Sequence, residues 1–106
     1  MIASSPALER NLKVQLRVRL YVAGDAPNSL AAVANLRAVL AEFPKHSAEV
    51  EVIDVLRDPE RALGDGILVT PMLVKFDPPP ERRVLGNLRD RGMLLGALGL
   101  GEAERE

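Results

Sequence analysis

Chemistry needs a nucleophile, a general base or a set of metal ligands at workable spacing, and this chain offers few of each. Its 106 residues contain no cysteine, which removes disulfides, thiolate catalysis and cysteine-based metal sites together. The single histidine, His46, falls in a surface loop after Pro44, so a zinc site would have to be built almost wholly from carboxylates, an uncommon arrangement. The stretch best placed for a reaction centre is Leu20 to Ser29, Leu-Tyr-Val-Ala-Gly-Asp-Ala-Pro-Asn-Ser. An alternating strand ends there, Gly24 and Asp25 turn the chain, and Pro27-Asn28-Ser29 opens a helix. At such a strand-to-helix elbow redox proteins carry a CxxC pair, because the helix N-terminus stabilises the attacking thiolate. Here Ala26 and Ser29 occupy the two places. Ser29 can bind a small thiol or cap the helix, and serine at a helix start is first of all a cap.

The chain has the length of one ordinary domain with a modest core, and 47% of it is hydrophobic. Charge is balanced, 14 basic against 15 acidic residues, which points neither to nucleic acid nor to an acidic substrate. Its distribution is less even. Arg10, Lys13, Arg17 and Arg19 lie early, Glu49, Glu51, Asp54, Asp58, Glu60 and Asp65 in the middle, and Lys75, Arg82, Arg83, Arg89 and Arg91 late. Such segregation suits self-association or protein docking, and equally a set of solvated faces. No apolar run approaches the ~20 residues of a membrane span. The first residues lack the basic and apolar regions of a secretory signal, so a cytoplasmic protein is expected.

The elements that must position these residues follow from periodicity. Val14, Leu16, Val18, Leu20 and Val22 alternate with more polar residues, which predicts a strand with one face buried. Leu30, Val33, Leu36, Leu40 and Phe43 recur at spacings of three and four and predict an amphipathic helix. Asp25 or Asn28 is expected to cap it, and Pro44 to stop it. Glu49 to Val55 reads as a second strand, too apolar for an exposed edge and parallel to the first after a helical crossover. Asp54, unusual on that strand, is expected to pair with Arg17 or Arg19. Asp58-Pro59-Glu60 opens a short helix over about 59–63 and Gly64 closes it. Pro71 belongs at the entrance of a strand Met72 to Phe76, since proline cannot donate to a ladder. The triple proline 78–80 forces an extended turn. A short strand, Arg82 to Leu85, and a final helix over 88–100 complete the chain. That helix contains Gly92, Gly96 and Gly99, which together remove roughly 3 kcal/mol of helical preference. Met93, Leu94 and Leu95 would suit a buried strand equally. The first half therefore commits to one structure and the second is ambivalent.

Several pieces lie in order at ordinary spacing: Leu-Tyr-Val-Ala-Gly-x-x-Pro-Asn-Ser at 20–29, Val-Ile-Asp-Val-Leu at 52–56, Ile-Leu-x-Thr-Pro at 67–71, Pro-Pro-Pro at 78–80 and Leu-Gly-Asn-Leu at 85–88. Together they resemble the KaiB family of circadian-clock proteins over about residues 14–100. The resemblance implies a non-enzymatic regulator, without cofactor, that docks on the ATPase ring of KaiC. It also implies two accessible folds: a thioredoxin-like βαβαββα monomer that binds KaiC, and a βαββααβ form that assembles into dimers and tetramers. The first βαβ unit is shared and the rest exchanged, a division that matches the committed and ambivalent halves, and two packings of one sequence need differ by only a few kcal/mol. Gly64, Gly66, Pro71, Gly96 and Gly99 are then the expected hinge positions. Lys75, Arg82 and Arg83 beside the proline turn, with Glu49 and Glu51, are the expected partner-binding residues. The chain departs from the family in Asp25, in a short acidic tail, and in Glu49 and Glu51, where relatives often show Ala and Lys.

The expected organisation is a flexible segment 1–13, a single α/β domain 14–100 and an acidic tail 101–106. Two other function classes compete with the adaptor. One is an enzyme, a thioredoxin-fold transferase or reductase, which affinity for glutathione would favour. The other is a thioredoxin-fold sensor or small-molecule-binding domain without redox activity, like the sensor of the clock-associated histidine kinase, though 106 residues carry no kinase. Tyr21, the sole tyrosine, is either a partner anchor or a side chain packed on the sheet, and packing is expected.

Overall fold

A computed structural model of the chain describes residues 15–101. The expected flexible segment 1–13, Val14 and the tail beyond Gly101 lie outside the described residues. The elements are β1 (Gln15–Val22), α1 (Pro27–Leu40), β2 (Ser47–Asp54), α2 (Pro59–Gly64), β3 (Met72–Asp77), β4 (Arg82–Leu85) and α3 (Arg91–Leu98). This is the thioredoxin-like βαβαββα order.

β1 is one of the two inner strands of a four-stranded sheet ordered β2-β1-β3-β4. β2 pairs with it in parallel, from Gln15 opposite Ser47 to Val22 opposite Asp54. β3 pairs antiparallel on its other side, and β4 pairs antiparallel with β3. The alternation of β1 sends Leu16, Val18, Leu20 and Val22 into the main core. There they meet Leu73 and Val84 of the sheet, Leu36 and Val39 of α1, and Leu94 and Leu98 of α3. The opposite face carries a smaller cluster of Tyr21, Ile53 and Val74, covered by Ala62 of α2 and by Ile67.

Three expectations change. β2 is an edge strand: Val50 and Val52 are 36% and 42% exposed. A parallel crossover sets the direction of β2 but leaves open which flank of β1 the next strand takes, and β3 takes the other one. The caps of the first two helices also differ. Ala26 precedes α1 and Asp58 precedes α2, and neither makes a side-chain cap bond. Neither Asp25 nor Asn28 caps α1. Ser29 lies buried inside the first turn, where its Oγ accepts the Ala23 N–H at 3.0 Å.

The final helix is shorter than 88–100. Leu88 takes φ 62° and buries its side chain in the core outside the helix. Asp90 then caps α3 by accepting the Met93 N–H at 3.0 Å. Gly99 is not an interior residue of this helix. At φ 75° it is the left-handed stop, and Leu100 N–H closes the end on the Leu95 carbonyl at 3.0 Å.

Candidate functional site

The elbow is built around Gly24, whose φ of 55° favours glycine and whose added Cβ would lie 3.3 Å from Leu56 Cδ1. Its N–H donates to Asp54 Oδ1 at 3.0 Å, and Leu56 N–H donates to the same oxygen at 3.0 Å. These two backbone bonds, in that order, hold the Asp54 carboxyl below the usual aspartate range. Asp54 therefore ties the end of β2 to the elbow and pairs loosely with Arg57 at 3.8 Å, in place of the expected Arg17 or Arg19. Ala26 is exposed and Ser29 is engaged with backbone, so neither of the two CxxC places presents a thiol or a free hydroxyl. Among the described residues no three His, Cys, Asp or Glu side chains gather as a metal site. None of the described helices is long and apolar enough to cross a membrane.

The arginines of β1 instead meet the glutamates of β2 across the parallel register, where Arg17 faces Glu49 and Arg19 faces Glu51. Arg17 Nε donates to Glu49 Oε1 at 2.8 Å, and Arg19 Nε lies 3.5 Å from Glu51 Oε1. Glu51 also receives both nitrogens of Arg61 from α2, at 2.5 and 3.0 Å. Arg61 lowers the Glu51 carboxyl, and Glu51 raises the Arg61 guanidinium. Both β1 arginines lie over the ring of Phe76, at 5.1 and 4.6 Å from its centre. Glu49 and Glu51 are thus exposed, as a docking role requires, and neutralised within the chain.

The basic trio at the proline turn does not form one patch. Lys75 is only 4% exposed. Burial first, and the neighbouring Arg82 second, lower its pKa. Lys75 and Arg82 stand opposite each other in the β3–β4 register, on the sheet face of Leu73 and Val84. Arg83 turns to the other face. There it donates to the Asp65 carbonyl at 2.9 Å and the Gly66 carbonyl at 3.5 Å, and pairs with Glu81 at 3.1 Å. Alternation along a four-residue strand separates neighbours, so adjacency in sequence is misleading here. Of the three, Arg82 alone keeps an exposed cation that makes no salt bridge among the described residues.

The expected hinge positions are scattered. Gly64 ends α2, Gly66 sits in the following turn at φ 73°, and Gly96 lies on the exposed side of α3. Pro71 is buried at the entrance of β3 after a cis peptide bond, and its carbonyl accepts the Gly86 N–H at 2.9 Å.

Asp65, which no motif singles out, joins the site. Its Oδ2 accepts the Tyr21 hydroxyl and the Arg19 Nη1 at 3.4 Å, while its carbonyl takes Arg83. Tyr21, packed in the sheet as expected, has its pKa raised by burial and then by Asp65. A hollow of about 250 Å³ opens beside them, lined by Arg19, Asp65, Phe76, Glu81 and Arg83 among others. The signal is present in the sequence: a lone tyrosine on a buried strand needs a partner for its hydroxyl.

The KaiB domain family model matches residues 19–100, the whole sheet apart from the first residues of β1. The circadian clock oscillator protein KaiB of one Prochlorococcus marinus strain is 47% identical over 83 residues, covering 78% of this chain and 71% of the relative. That of Rippkaea orientalis is 43% identical over 90 residues, covering 85% and 86%. Among solved structures, the N-terminal domain of Synechococcus elongatus SasA is 26% identical with a TM-score of 0.66, over 84% of this chain and 88% of that one. Fasciola hepatica thioredoxin, 20% identical with a TM-score of 0.65 over 92% and 90%, shares the fold.

Proposed function

Because this chain belongs to the KaiB family of circadian-clock proteins, we propose that it is a non-enzymatic regulator that docks on a KaiC-type ATPase ring and modulates its ATPase and phosphorylation cycle, in circadian or stress timing. The observation that carries this reading is the family match across the domain, combined with an elbow that holds Ala26 and Ser29 and no cysteine. The site supports binding and supplies no reacting group.

In this reading the contact surface includes exposed Arg82 and the outward row of Glu49 and Glu51 on the edge strand. Lys75 lies buried in the sheet and Arg83 serves the Asp65 turn, so neither is placed on that surface. The protein works in the cytoplasm and needs no cofactor. The βαβαββα form is the binding form, and a second arrangement of the C-terminal half assembles into homodimers or homotetramers.

The test is the ATPase rate of a KaiC-type ring with and without the purified chain. A concentration-dependent, saturable change supports the adaptor, and an unchanged rate with no complex formed overturns it. The likeness to the SasA N-terminal domain favours one second reading, a sensor or small-molecule-binding domain without redox activity. Saturable binding of a small molecule by the chain, with no turnover of glutathione and no effect on the ATPase, would decide for that alternative.

A further inference from the structure

We propose that α2 with its following turn, residues 59–67, is a separately opening flap held on the sheet by a polar latch centred on Asp65. The flap has little apolar attachment. It places only Ala62 and Ile67 in the small cluster on Tyr21, Ile53 and Val74, while Leu63 and the adjoining Leu68 are 70% and 86% exposed. Burial of two side chains, one of them an alanine, is a weak hold.

Polar contacts from three strands take its place. β1 supplies the Tyr21 hydroxyl and Arg19 Nη1 to Asp65 Oδ2. β2 supplies Glu51, which takes both nitrogens of Arg61. β4 supplies Arg83, whose two terminal nitrogens reach the Asp65 and Gly66 carbonyls. Arg19 touches both anchors, lying 3.5 Å from Glu51 and 3.4 Å from Asp65. Its guanidinium is positioned over Phe76. These contacts are partly exposed, so salt screens them, whereas the main core on the opposite face contributes nothing to holding the flap. Release uncovers Tyr21, Ile53 and Val74 and leaves the β1–β3 ladder intact.

Native-state hydrogen exchange on the full chain at low salt tests this. The probes are the amides of Asp65, Gly66 and Ile67, which donate to Arg61, Leu63 and Ala62 carbonyls of a six-residue helix too short to persist off the sheet, against the paired amides of β1 and β3. Asp65→Asn removes the charge and Tyr21→Phe removes one strut while keeping the ring. Each is expected to speed exchange in the flap about tenfold, the effect of losing a hydrogen bond to a charged group, with the ladder unmoved. Added sodium chloride does the same to the wild type and less to Asp65→Asn, which keeps only the Arg61–Glu51 pair. Equal acceleration of flap and ladder in both variants would overturn the proposal, as would flap rates that neither variant nor salt changes.

Discussion

Asp54 Oδ1 accepts the Gly24 N–H across thirty residues of sequence, at 3.0 Å, and so fastens the end of the edge strand to the turn that launches α1. The Leu56 N–H shares the same oxygen, and together the two donors favour the carboxylate over the acid. Because the folded-state pKa is depressed, its contribution is present above the unfolded value of about 4 and is lost as pH falls through the folded value. Asp54→Asn should therefore be less stable than the wild type at neutral pH, with a gap that closes in acid. Urea unfolding midpoints measured across that range check this. A gap independent of pH would assign the effect to shape and not to charge.

The two glycines near the end of the C-terminal helix should respond in opposite directions. Gly96 is helical, exposed and has nothing within 4 Å of an added Cβ. Gly96→Ala is expected to stabilise the domain by about 0.8–1 kcal/mol. Gly99 has the same empty surroundings but φ 75°, and Gly99→Ala is expected to destabilise by about 1–2 kcal/mol. Denaturant unfolding of the two single variants distinguishes them. Equal gains would mean that Gly99 does not hold the left-handed stop.

Lys75 should oppose stability at neutral pH. Its folded-state pKa is lowered, chiefly by burial, so between that value and the unfolded value of about 10.4 the unfolded chain binds more protons and stability rises with pH. Lys75→Met keeps the buried stem and removes the ammonium. The variant is expected to unfold at higher urea than the wild type at pH 7 and to lose part of the alkaline gain. A less stable variant at pH 7 would show that the ammonium has a favourable partner.

Much of this architecture is legible because β1 is paired on both sides and buries one whole face. Its alternation from Leu16 to Val22 is therefore strict, and the helix pattern after Pro27 follows from the same requirement. The position of β2 is not legible, since Val50 and Val52 alternate with glutamates as they would on either flank of β1. Leu88 reads as helical because it is apolar and correctly spaced, whereas its positive φ is imposed by the tertiary path into Asp90. Gly99 shows the same limit, because periodicity alone does not separate an interior glycine from a terminating one.

The binding surface is less legible than the fold. Lys75, Arg82 and Arg83 are near neighbours in sequence, yet strand alternation divides them between two faces and burial removes Lys75. The glutamates of β2 read as partner contacts, and each already has an arginine in the chain. What can be read from one strand is which residues share a face. Which charges remain unmatched depends on the neighbouring strand.

Among the proposed contacts, Arg82→Glu is expected to weaken docking to a KaiC-type ring about tenfold, as reversal of a rim charge on an interface does, while stability does not fall, because the change replaces a like charge opposite Lys75. The loss should shrink as salt rises. Binding isotherms at two salt concentrations check this, and an unaltered affinity at low salt would remove Arg82 from the contact surface.

The most direct measurement is size-exclusion chromatography with light scattering of the chain mixed with a KaiC-type ATPase, with and without ATP. Docking predicts an ATP-dependent complex whose mass exceeds that of the ring by bound copies of this chain. A ring of unchanged mass in ATP, with all of the chain eluting separately, would contradict it.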